Sequence, residues 1–196
     1  MIAEMDEQRL AGGLIASGIV IAVVAGIATP QGLYQAPEHA TRLQIIEGDR
    51  ARFLIAQVLW GLMLSVPAAG FVMASRQIVV LLAWLPTVAA LAILVGAAAG
   101  VLFVLLQTVD PLRFWLNGGG AWISAASAWL IVLAAALYGV GMVQAPGWGV
   151  AGYVLAAYAL VGAVALLFGA PAFFVVAGFY LAALAPAFVL WQGRLA

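Results

Sequence analysis

The ionisable side chains of this 196-residue chain are seven arginines, seven carboxylates, one histidine and five tyrosines, with no lysine and no cysteine. A serine nucleophile needs a neighbouring base, and His39 is the sole imidazole, with no lysine to replace it. Zinc, bis-histidine haem and di-iron centres draw on several His or Cys ligands. His39 therefore allows at most one His-ligated pigment or metal. Intramembrane aspartyl proteolysis requires two Asp at membrane depth, whereas Asp6, Asp49 and Asp110 all flank apolar segments. With a formal net charge of zero there is no basic field to recruit nucleic acid. An enzyme is thus not expected.

The chemistry that remains is hydrogen bonding and anion contact, and it falls into two groups. The first is a polar cap. Glu38, His39, Arg42, Arg50 and Arg52, with Glu47 and Asp49, cluster in one loop, and Asp110 with Arg113 occupy a second. Two or three Arg would act as anion donors there and His39 as the titratable group, suiting a headgroup, ligand or partner. The alternative is a solvated loop held by structural ion pairs. The second group is an intramembrane polar seam. Gln57, Gly61 and Ser65 recur at i, i+4 and i+8, while Asn117 and Ser124 mark the entry to a later apolar run. Such a seam would line a small-solute path or cradle a cofactor headgroup, although Gln and Ser in spans more often bond helix to helix.

The elements that must position these residues follow from composition. Some 67% of the chain is hydrophobic and 7% charged, against about 25% charged in soluble domains. With a mean hydropathy of +1.20, most of the chain must be solvated by lipid. A spanning helix takes about 20 apolar residues, and six runs qualify, at about 10–28, 53–74, 78–106, 121–142, 148–168 and 172–191. Backbone groups in lipid must be satisfied internally, so the predicted fold is an all-α bundle of six spans forming one integral membrane domain over residues 1–196. The third run exceeds an untilted crossing and must tilt, bend at Pro86 or leave the membrane.

The segment Pro37 to Glu47 reads as an interfacial amphipathic helix between spans one and two: Pro at its start, Glu38 and Arg42 at i, i+4, and Leu43 with Ile46 on the apolar side. Ser75-Arg76-Gln77 joins spans two and three as a hairpin, which places both polar-cap loops on one membrane face. Small residues spaced four apart, among them Gly12/Ala16, Gly96/Gly100 and Gly152/Ala156, provide faces for close helix approach within the bundle or for self-association. Six of the seven tryptophans (60, 84, 115, 122, 148 and 191) sit near span ends, as an interfacial belt requires.

The acidic N-terminus is unlike a signal-peptide n-region, so the first span is expected to be kept as an anchor. Arg9, Arg76 and Arg194 mark one face and Arg42, Arg50, Arg52 and Arg113 the other, which leaves orientation unset by charge. Both termini are expected on the cytoplasmic side. Arg9-Leu10-Ala11-Gly12 opening span one, Thr29-Pro30 closing it, and Arg50-Ala51-Arg52-Phe53 opening span two resemble small bacterial six-helix membrane proteins of unknown function. That resemblance covers about the first 75 residues and implies a bacterial inner membrane without assigning any residue a role. Packing surfaces in excess and catalytic groups in deficit lead to the expected function: a non-enzymatic structural or accessory subunit of a larger membrane assembly. Its companions would be membrane lipids and other membrane subunits. The alternative is a small-molecule or lipid transporter using the Gln57/Ser65 seam.

Overall fold

The computed structural model describes residues 2–36, 38–78, 82 and 84–192, and among them the regular structure is α-helix throughout. Its segments are α1 (Ile2–Ala28), α2 (His39–Gly48), α3 (Arg50–Ser75), α4 (Trp84–Val109), α5 (Pro111–Leu116), α6 (Ala121–Gln144), α7 (Gly149–Leu167), α8 (Ala172–Ala182) and α9 (Leu184–Gln192). Six helices, with α8 and α9 counted as one, are long and apolar enough to cross a membrane. The chain is a multi-pass integral membrane protein with an all-α fold. Each span packs on the next in sequence, and α9 returns to α1, closing a ring through α3, α4, α6 and α7.

Three departures from the sequence expectation have local causes. The third span begins at Trp84, not Ile78, which is not helical; residues 79–81 and 83 lie outside the described residues. Pro86 therefore falls in the first turn of α4, where its missing N–H costs no hydrogen bond. The sixth span is broken at Ala183. Pro186 cannot donate to the carbonyl of Ala182 and its ring crowds that oxygen, so the helix ends and restarts one residue later. The link after span three contains a helix of its own, α5, with Asp110 as N-cap and Pro111 at its first position.

Close approach of backbones holds the ring. A Cβ on Gly152 would strike the backbone N of Val143, and one on Gly139 would lie 2.7 Å from the backbone N of Ala156, so α6 and α7 touch at a glycine crossing. Gly12 faces the carbonyl of Ala187 and Gly70 that of Ala11, which seats α1 between α9 and α3. Across α4 and α6, Ser127 Oγ donates to the carbonyl of Gly96 at 2.7 Å. Gly13 and Gly26, by contrast, meet nothing within 4 Å. The interior is aromatic: Phe71 packs on Tyr138 and Phe179, and the Tyr138 hydroxyl donates to the Phe71 carbonyl. Two of the expected belt tryptophans are instead buried, Trp148 fully and Trp60 with its Nε1 donating to Thr29 Oγ1. Trp84, Trp122 and Trp191 are exposed, as an interfacial belt requires.

Candidate functional site

The loop after α1, helices α2 and α5, the start of α3 and the end of α4 share one face of the bundle. A small apolar cluster of Leu33, Ile46 and Phe53 seats α2 on the first turn of α3. That helix begins at His39, with Glu38 as its N-cap and Pro37 outside the described residues, and ends at Gly48. Its position between spans one and two is as expected, and Ile46 is its buried apolar contact.

Arg42, Asp49, Arg52 and Asp110 of the cap are engaged in local structure. Arg52 donates from Nε to the Ala28 carbonyl at 3.1 Å and from Nη2 to that of Ile27, satisfying oxygens that α1 leaves free at its C-terminus. Asp49 Oδ1 accepts from the Arg52 N–H and Asp110 Oδ1 from the Arg113 N–H, capping α3 and α5. Arg42 Nε donates to the Ala36 carbonyl at 2.7 Å, while its guanidinium lies 4.6 Å from the centre of the Trp115 ring. His39 stacks on the same ring at 6.3 Å, so α2 grips α5 through one indole. Glu38, Arg50 and Arg113 are exposed. The hydrogen bonds of Arg42 and Arg52 thus go to backbone carbonyls, where ion pairs had been the expected alternative.

The polar seam is not a continuous line. Gln57 is buried, but Ser65 is exposed, bonds back to the Gly61 carbonyl, and opens on an outward apolar groove beside Ala68, Ala97 and Val101. Asn117 is exposed at the C-cap of α5, and Ser124 is half-buried in the first turn of α6. An advance of eight residues turns a helix by about 80°, enough to separate Gln57 from Ser65 on opposite sides of the packing boundary.

The other buried amide is Gln107, near the end of α4, which sequence reasoning passed over. Both are almost wholly buried, at 3% and 0% exposure, and neither amide has a hydrogen-bond partner for its Nε2 or Oε1. Tyr34, from the turn after α1, is half exposed. Burial raises the Tyr34 hydroxyl above its ordinary value of 10.0, and the Gln57 and Gln107 amides draw it partly back. The one available signal in sequence is that Gln107 is a lone amide near the end of a long apolar run.

Among the described residues, no group of three or more His, Cys, Asp or Glu could hold a metal ion. The chemistry this face offers is neutral hydrogen bonding inside and arginine contact outside. Comparison with protein-family models, with curated proteins and with solved structures finds no match.

Proposed function

We propose that this chain is a non-enzymatic accessory subunit of a larger membrane assembly in a bacterial inner membrane, with both termini on the cytoplasmic side. The observation that carries the reading is the use of the cap's chemistry to hold the fold. Arg52 closes α1, Asp49 and Asp110 cap α3 and α5, and Arg42 with His39 clasps Trp115. Side chains occupied in this way are poorly placed to take part in turnover. The outer surface supports the same reading: a groove of about 440 Å³ between α6 and α7 is lined by Ala136, Ala156, Ala159 and Ala163, with Trp129 alongside. Small residues of this kind allow a neighbouring subunit's helix to approach closely.

Lipid is the expected companion on the remaining apolar faces, and His39 is the one imidazole available to a pigment or metal. A transport path along Gln57 and Ser65 has less support, because one residue is buried and the other faces outward. Native gel electrophoresis of mildly solubilised membranes tests the proposal. The chain is expected to migrate with other membrane polypeptides and to fall to its own size in harsher detergent. Migration at its own size under both conditions would remove the support.

A further inference from the structure

The last span changes neighbours at its break. Before Ala183, α8 lies against α6 and α7 and is pinned there. The Tyr158 hydroxyl donates to the Val175 carbonyl at 2.7 Å, and the Phe179 ring meets Phe71 and Tyr158 with centres 5.3 and 5.7 Å away. After the break, α9 lies mainly against α1, with α7 on its other side. Its buried residues are Pro186, Ala187 and Leu190, so its hold on the bundle is apolar. Gly12 makes that hold close, because a Cβ there would lie 2.8 Å from the Ala187 carbonyl. In the half of the bundle away from the polar cap, α9 is thus the stave that joins α7 to α1.

Bending an ordinary helix in lipid breaks backbone hydrogen bonds that nothing replaces. At this break one such bond is missing from the start. Pro186 has no N–H for the Ala182 carbonyl, while the Ala183 N–H donates to Phe179 at 2.8 Å and the Ala187 N–H to Ala183 at 3.2 Å, which keeps the chain helical on both sides. Ala183 and Pro186 are buried, so the joint is shielded, whereas Leu184, Phe188 and Trp191 of α9 face outward. The joint also falls near the middle of the span Ala172–Gln192, which leaves α9 free to move as one short rigid arm.

We propose that α9 is a hinged stave. It pivots at Ala183 to Pro186 while α8 stays fixed, and its outward swing opens the ring between α1 and α7 in the half away from the polar cap.

The chain has no cysteine, so spin labels can be placed in pairs on the full chain in lipid nanodiscs and their separation read by double electron–electron resonance. Phe188→Cys with Leu91→Cys spans from α9 to α4, and Phe174→Cys with Leu105→Cys spans from α8 to α4, all at exposed positions. The α8 pair is expected to give one narrow distance. The α9 pair should give a second population at longer distance, which Pro186→Ala should remove by restoring a donor to the Ala182 carbonyl. If Pro186→Ala does not fold, the contrast between the two pairs in the wild type decides. An α9 pair as narrow as the α8 pair, equal broadening of both, or a longer population that survives Pro186→Ala would overturn the proposal.

Discussion

Arg52 donates its Nε to the carbonyl of Ala28 at 3.1 Å, so that the first turn of α3 closes the last turn of α1. A charge at the membrane face is in this way spent on a helix end, and the second bond, to Ile27, strengthens the closure. Arg52→Leu is expected to destabilise the protein by about 1.5–3 kcal/mol, the range for hydrogen bonds made by a charged group. Arg52→Lys should recover part of this, since an ammonium lacks the planar fork that reaches both carbonyls. Arg50→Leu, at an exposed position, should be close to neutral. Reversible unfolding in mixed micelles reads all three.

The glycine crossing of α6 and α7 yields a contrast within one residue type. At Gly152 an added methyl meets the backbone of Val143, which cannot give way cheaply, so Gly152→Ala should cost about 1–3 kcal/mol by overpacking. At Gly13 the methyl meets nothing within 4 Å, and Gly13→Ala should be neutral or should stabilise by up to about 1 kcal/mol through helix propensity. Unfolding midpoints of the two variants should move in opposite directions, or only the Gly152 variant should move.

Ser127→Ala removes the bond from Oγ to the Gly96 carbonyl, between two spans that also meet at Gly100. Interhelical hydrogen bonds in membranes average about 0.6 kcal/mol. The expected loss is of that size, smaller than the loss at Gly152, and the same unfolding series measures it.

Tyr34 makes stability depend on alkaline pH. Its folded value is raised above 10.0, first by burial, so as pH climbs past 10.0 the unfolded chain ionises before the folded one. The contribution is fully present below pH 10.0 and is lost as pH rises through the folded value. Between about pH 8 and about pH 11, Tyr34→Phe should lose less stability than the wild type. Thermal unfolding at the two pH values gives the comparison.

The span count and the short helix between spans one and two were legible in sequence because long apolar runs and an Asp or Pro at a boundary are local signals. Helix rotation was not legible. When a span is apolar nearly all round, composition does not say which stripe faces the core, so Gln57 and Ser65 read as one seam although the fold turns them apart. The burial of Gln57 and Gln107 depends on that rotation. The break at Ala183 was hidden for a different reason: Pro186 lies within an apolar run, where hydropathy registers no interruption. The helix α5 was read as a link because its six residues are too few to show a period.

An accessory subunit stays with its partners when it is lifted from the membrane. The most direct measurement is quantitative peptide mass spectrometry of particles cut from the native membrane by an amphipathic polymer and captured through this chain. At least one other membrane polypeptide is expected at a fixed whole-number ratio that survives repeated washing. Particles that contain this chain and lipid alone would contradict it.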